Sequence, residues 1–246
     1  MKKILVIGAT SAIATACARL WVSEEAEFFL AARDPQKLQQ TVDDLTVRGA
    51  AAVHSYEIDL NRPDAHPALL EECFSKLERV DIALVCYGTL PDQEKCEQDT
   101  NYALREFVSN GFSVISILGL LANRMEQQRS GVIAVVSSVA GDRGRRSNYL
   151  YGSAKAAVTT FCAGLRLRLL KSGVRVLTVK PGFVATPMTA HLSLPPLLTV
   201  SADHVARDIV RAAGKNRGVL YTPWYWAFIM FVIRCLPESL FKRLPI

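Results

Sequence analysis

The sequence predicts an α/β protein built as one doubly wound parallel sheet with helices on both faces. Three observations predict it. Short apolar runs alternate with helix-length amphipathic stretches, the pattern of parallel strands buried on both faces. A turn of small residues follows the first run, where such folds place a helix N-terminus. No internal repeat or low-complexity linker divides the 246 residues, and that length suits a single α/β domain over 1–246.

The elements follow in order. The predicted strands are 4–7 (ILVI), 28–32 (FFLAA), 51–56 (AAVHSY), 82–86 (IALVC), 132–136 (VIAVV), 174–179 (VRVLTV) and 219–221 (VLY). Helix-length stretches lie between them, so the chain returns to the same sheet edge before each new strand. Two regions break this rhythm. Residues 187–200 carry Pro187, Pro195 and Pro196 and read as an irregular substrate loop or short lid. Residues 224–246 form an apolar, aromatic tail that begins Trp224-Tyr-Trp-Ala-Phe.

Composition narrows the class. Hydrophobic residues make up 50% and charged residues 21%, enough apolar surface to offset ordering entropy, which excludes a disordered chain. Lys and Arg number 29 against 23 Asp and Glu, a net charge of +6. That balance admits an anionic ligand or a membrane surface, and nucleic acid is not expected. The cysteines Cys17, Cys73, Cys86, Cys96, Cys162 and Cys235 form no C-x-x-C pair, and the histidines are scattered. No metal site or disulfide framework is expected, and the thiols are read as reduced and cytoplasmic. The opening Met-Lys-Lys-Ile-Leu-Val-Ile-Gly has too short an apolar run for a signal peptide.

The first turn, Gly8-Ala-Thr10-Ser11-Ala12-Ile13-Ala14, opens the first helix. Helix N–H groups and small residues there suit a dinucleotide pyrophosphate. The second strand ends in Ala32 followed by Arg33, where an NAD site usually has an acid. Arginine suits a 2′-phosphate, so the expected cofactor is NADP, with NAD as the alternative because Asp34 is adjacent.

Tyr151-Gly-Ser-Ala-Lys155 puts a phenol and an ammonium on one helical face. The ammonium is expected to favour the phenolate and lower the tyrosine pKa, making an acid for a developing alkoxide. Ser138 stands thirteen residues earlier, at the carboxyl end of the fifth strand, where it can hold a carbonyl oxygen. Lys180-Pro181-Gly182 then follows the sixth strand.

With these landmarks in order, the chain resembles the short-chain dehydrogenase/reductase family over nearly its whole length. The resemblance implies a Rossmann-type fold, a nicotinamide cofactor and carbonyl reduction or the reverse oxidation. It implies a catalytic set of Asn110, Ser138, Tyr151 and Lys155. Asn110 would support a water-borne proton path from Lys155, which also bonds the nicotinamide ribose. Gly8, Thr10, Ser11, Ala12, Ile13, Arg33, Asp59, Leu60, Gly88, Pro181, Gly182 and Thr186 would hold cofactor, Asp59 at the adenine ring. The chain departs from the family pattern in two places. Ala12 and Ala14 replace glycines, and Val85-Cys86-Tyr87 replaces Asn-Asn-Ala, so its hydrogen bonds must come from elsewhere.

Further segments, among them Gly141-Asp-Arg143-Gly-Arg145-Arg146 and the ending Phe241-Lys-Arg-Leu-Pro-Ile246, resemble a narrower group of reductases acting on a lipid-linked 2-keto pentofuranose. That likeness implies a flavin-oxidase partner supplying the keto sugar. Arg143, Arg145 and Arg146 suit the substrate phosphate, or alternatively pair with Asp142 and other acids. The tail is too short in its apolar core, 224–233, to span a bilayer. It suits peripheral contact at the inner membrane face, or a homodimer or homotetramer interface, or a helix that closes the pocket. Two other functions remain open: a soluble reductase of a small alcohol, lipid or steroid, and a non-catalytic NADP-binding sensor or scaffold.

Overall fold

Nine strands and ten helices are arranged around one main sheet in the computed structural model, which describes residues 1–243. Leu244, Pro245 and Ile246, the end of the apolar tail, lie outside the described residues. The strands are β1 (Lys3–Ile7), β2 (Glu27–Ala32), β3 (Ala52–Glu57), β4 (Ile82–Val85), β5 (Gly131–Val136), β6 (Val174–Pro181), β7 (Phe183–Ala185), β8 (Thr199–Ser201) and β9 (Val219–Thr222). Seven of them pair in parallel in the order β3-β2-β1-β4-β5-β6-β9. The chain order reverses at β1, which lies between β2 and β4, so a crevice opens beyond the carboxyl ends of β1 and β4.

The central strands β1, β4 and β5 are apolar over 4–7, 82–85 and 132–136 because both faces are covered. Ile4 and Val6 face one core with Cys17, Trp21, Leu45 and Ile209. Leu5 and Ile7 face the other with Leu69, Cys73, Ile117 and Val158. The first core is roofed by α1 (Ala12–Trp21), α2 (Pro35–Val47) and α8 (Ala202–Ala213). The second is roofed by α3 (His66–Leu77), α6 (Ser113–Gln128) and α7 (Tyr149–Arg168). Two shorter helices, α4 (Gln93–Gln98) and α5 (Thr100–Phe107), lead into α6 through a π-turn over Val108–Phe112. The stretch Thr100–Gln128 is long and apolar enough to cross a membrane. Here it is a core helix, with Ile117, Leu118, Leu121 and Met125 buried.

The segment after Thr186 is tethered at both ends. β7 and β8 pair as a small parallel sheet, and two 3-10 turns, Pro187–Thr189 and Pro196–Leu198, lie between them. The tail folds into α9 (Tyr225–Cys235) and α10 (Glu238–Phe241). Trp226 and Met230 on α9 pack with Val139, Phe183 and Leu198, so α9 closes against the segment that follows β5 and against the loop. Among the described residues the cysteines are free, and all but Cys235 are buried.

Candidate active site

Two clefts of about 920 and 810 Å³ meet at the carboxyl ends of β1 and β4, sharing Thr10, Ser11, Gly88 and Thr89. Their joint lining suits a two-part ligand. At the first strand end, Gly8 turns with φ +83°, and a Cβ there would sit 2.5 Å from the Cys86 carbonyl oxygen. Only glycine lets the chain pass so close. Ser11 caps α1 by accepting a hydrogen bond from the Ala14 amide at 3.2 Å. The Ala12 and Ile13 amides stand in the first turn, where helix N–H groups have no intrahelical partner and favour an anion. Ala12 and Ala14 are not among the residues with positive φ, so their methyl groups cause no backbone strain.

The replaced Asn-Asn-Ala positions are held by other bonds. Ser11 Oγ lies 3.1 Å from Cys86 Sγ, and the Tyr87 hydroxyl lies 2.8 Å from Ser113 Oγ. Ser113 in turn donates to the Leu60 carbonyl. Gly88 is again a required glycine, with φ +150° and an added Cβ 2.6 Å from Asn110 Oδ1. This ties strand end, Asn110 and Lys155 together, because Lys155 Nζ stands 3.5 Å from the same point.

In the second cleft Arg33 and Asp59 line the wall with Gly8, Ala32 and Leu60. Asp34, the next residue, does not line this cleft. Its carboxylate caps α2, accepting from the Gln36 and Lys37 amides at 3.1 Å each, which lowers its pKa. Arg33 is exposed and has no ion pair among the described residues.

The first cleft brings Asn110, Ser138, Tyr151 and Lys155 together, with Pro181, Gly182 and Thr186 on the facing wall. Asn110 sits in the π-turn, a local widening that aims a buried side chain inward. Its amide is committed to the chain: Oδ1 accepts from the Thr89 N–H at 3.0 Å, and Nδ2 donates to Thr89 Oγ1 at 2.8 Å and the Glu106 carbonyl at 3.0 Å. Ser138 begins a 3-10 turn, Val139–Asp142, and its Oγ accepts from the Ala140 amide at 3.1 Å. That turn lies against α7 because Gly141 and Gly152 leave room. A Cβ on Gly141 would stand 2.7 Å from the Ala156 nitrogen, and one on Gly152 would stand 2.8 Å from the Ala140 oxygen. Ser137, the residue after β5, locks the same contact by donating to the Lys155 carbonyl at 3.1 Å.

One expectation is corrected by burial. Without cofactor, desolvation pushes the Tyr151 phenol up to about 12, with the neighbouring Ser138 hydroxyl pulling the other way. Lys155 Nζ stands 5.6 Å from the ring centroid and donates to the Val136 carbonyl at 3.4 Å. Loss of water around the phenol dominates, so without cofactor the phenol is protonated at neutral pH.

Burial also pulls Lys155, 3% exposed, down from 10.5 to about 8. A folded-state pKa below the unfolded one means that the unfolded chain holds the extra proton between pH 8 and 10.5. The charge therefore destabilises in full below pH 8, and this cost fades as pH rises to 10.5. Lys155→Met is expected to stabilise the cofactor-free protein at pH 7 by about 3 kcal/mol, a gain that disappears towards pH 10.5. Thermal melts across pH check this. A less stable variant at pH 7 would mean that contacts outweigh the desolvation.

The three loop arginines separate, and none lines the first cleft. Arg143 is spent on the tail. Its guanidinium donates to the Leu236 carbonyl at 2.7 Å, pairs with Glu238 at 2.9 Å and stacks over Phe241. It is thus not a phosphate ligand, because its donors already hold the end of α9. Arg146 is exposed. Arg145 is half-buried with no partner for its buried Nε, and burial lowers its pKa.

Sequence reasoning missed three groups. Trp226 lies on Gly182, where any Cβ would overlap its indole, so that glycine serves packing as well as the turn. Asp142, Lys180 and Tyr221 form a buried set beside Ser138: Lys180 pairs with one carboxylate oxygen and the Tyr221 hydroxyl donates to the other at 2.7 Å. Thr89 holds Asn110. The glycines at 141, 152 and 182 were the available signal of close packing, and nothing local announces the Asp142 set.

The geometry defines an oxidoreductase of the nicotinamide-dependent Rossmann type, and the comparisons place it further. The chain belongs to the short chain dehydrogenase family, whose sequence model matches residues 2–195. An uncharacterized oxidoreductase of Mycobacterium tuberculosis strain H37Rv is 34% identical over 242 residues, covering 98% of this chain and 96% of that protein. One from Streptomyces coelicolor is 33% identical over 246 residues, covering 100% and 96%. The solved structure of an actinorhodin polyketide ketoreductase variant with NADPH superposes with a TM-score of 0.82 at 22% identity, covering 92% of this chain and 97% of that one. At that identity the likeness is one of fold.

Proposed function

We propose that this oxidoreductase uses NADPH to reduce the keto group of a sugar carried on a polyprenyl phosphate. The observation that carries the reductase chemistry is the convergence of Ser138, Tyr151 and Lys155 in one cleft that continues into the dinucleotide cleft. The cofactor supplies the hydride to the carbonyl carbon. Ser138 binds the carbonyl oxygen, and Tyr151 gives that oxygen its hydroxyl proton as the alkoxide forms. Lys155 stands behind the phenol as the nearest buried ammonium and steadies the phenolate that is left.

The substrate class rests on two supports. The sequence is similar to the reductase subunit of decaprenylphosphoryl-β-D-ribose 2′-epimerase in the segments described above. Arg145 also offers a partly desolvated guanidinium with an unused Nε, the residue type suited to a phosphate. In this reading a flavin oxidase makes the ketone from the parent alcohol. A second reading, a small soluble ketone, draws on the apolar wall of Val136, Val184 and Met188. Turnover of a polyprenyl-phosphate keto sugar at rates well above those for small ketones would establish the first reading. The reverse ranking would establish the second.

The preference for NADPH rests on Arg33 beside the neutral Ala32, with Asp34 occupied as a cap. Arg33→Ala is expected to weaken NADPH binding roughly 10- to 100-fold and leave NADH binding within about twofold. Titration followed by nicotinamide fluorescence checks this. Equal losses for both nucleotides would remove Arg33 from the 2′-phosphate.

A further inference from the structure

The outer face of α9 is apolar and uncovered. Trp224 is 79% exposed, Phe228 69% and Phe231 65%, with Val232 beside them. These positions recur at helical spacing, so they form one stripe. The opposite face, Trp226 and Met230, is buried against Val139 and Leu198. The adjoining loop carries Leu197, 94% exposed, next to Leu198 in that cluster. The loop's first turn, with Met188, lines the mouth of the active-site cleft. Exposed aromatic residues on one side of a helix, against a packed other side, mark a surface that meets something.

Charge identifies the occupant. Between 223 and 243 the cations are Arg234, Lys242 and Arg243, and the one acid is Glu238. Glu238 is already held by Arg143. A two-fold contact of this tail with a second copy would bring two segments of the same net positive charge together, with their one acid, Glu238, already paired. An anionic lipid surface matches both the aromatic stripe and the cations. The eleven residues of α9 are about 16 Å long, too short to span a bilayer, so the helix would lie in the surface plane.

We propose that the outer face of α9, with Leu197, docks on an anionic lipid bilayer and brings the mouth of the active-site cleft to that surface. The inference stands on the tail's packing and charge, whatever ketone the site reduces. The tail is also rigidly joined to the site, through Trp226 on Gly182 and Arg143 on the end of α9.

The test is cosedimentation of the full chain with vesicles of equal parts phosphatidylglycerol and phosphatidylcholine, against vesicles of phosphatidylcholine alone. The proposal expects binding to the anionic vesicles, weakened by salt. It expects about a tenfold loss of binding on Phe228→Ser with Phe231→Ser, and a similar loss on Lys242→Glu with Arg243→Glu. Both double variants keep NADPH binding, which shows that they fold. In the unaltered protein the tryptophan emission shifts to the blue on binding, because Trp224 is exposed while Trp21 and Trp226 are buried. No association with anionic vesicles, or binding untouched by both variants, overturns the proposal. So does a dimer in solution that Phe228→Ser with Phe231→Ser dissociates, which would make this face an interface between copies.

Discussion

Tyr151→Phe is expected to lower kcat for carbonyl reduction by about 100- to 10,000-fold, the usual worth of a positioned general acid. NADPH affinity should stay within about twofold, because the ring volume is kept and the phosphate end is untouched. In the proposed mechanism the phenol is the proton donor beside Ser138, and burial pushes its pKa up to about 12 without cofactor. Ser138 can still hold the carbonyl oxygen in the variant, but its Oγ already accepts from the Ala140 amide, and no phenol hydroxyl stands beside it to give up a proton. Alcohol oxidation uses the same group in reverse. It needs the phenolate, so its rate should rise with pH through the range in which reduction is flat. A variant that binds NADPH and turns over at the original rate would end the catalytic assignment and favour a sensor or scaffold. Loss of turnover with binding intact would exclude the sensor.

The central strands were legible because they are buried on both faces, so apolar residues run without alternation over 4–7 and 132–136. Tyr151 and Lys155 were legible because a helix puts residues four apart on one side, whatever lies around it. Local signals could not show what arrives from far along the chain. Arg143 meets the Leu236 carbonyl across 93 positions, so a basic loop next to the active site gave no hint that its first arginine belongs to the tail. Trp226 falls on Gly182 from another element, and a Pro-Gly turn reads the same with or without it. The pKa of Tyr151 depended on how much water reaches the phenol, a property of the packed cleft and not of residue spacing. Arg33 was readable only in part. Its rival Asp34 left the field by capping α2, and that cap is itself a local sequence pattern, an Asp directly before a helix-opening proline.

The buried Asp142–Lys180 pair carries the largest expected stability effect. Lys180 is 6% exposed, and the Asp142 carboxylate meets Lys180 with one oxygen and Tyr221 with the other. Asp142→Asn removes the negative charge and leaves the ammonium buried beside a tyrosine oxygen 3.5 Å away. Breaking such a pair costs about 3–5 kcal/mol, and for a chain of this length that lowers Tm by roughly 6–20 °C. Removing both charges costs less than removing one, because no lone ion is left in the interior. Asp142→Leu with Lys180→Met should therefore recover most of the loss, and a double variant as unstable as Asp142→Asn would sink this account. The pair also joins two walls of the site. Asp142 ends the turn that Ser138 begins, and Lys180 directly precedes Pro181 and Gly182. Well below its melting temperature, Asp142→Asn is expected to lose about tenfold in kcat with NADPH binding little changed, as follows when a carbonyl-holding hydroxyl is less well aimed. A uniform loss of both would instead reflect general loosening of the cleft. The double variant separates the two effects, since it restores packing without restoring the link between the Ser138 turn and the Pro181–Gly182 wall. Recovery of Tm without recovery of kcat is the expected outcome, and it would assign Asp142 and Lys180 as positioning residues for Ser138.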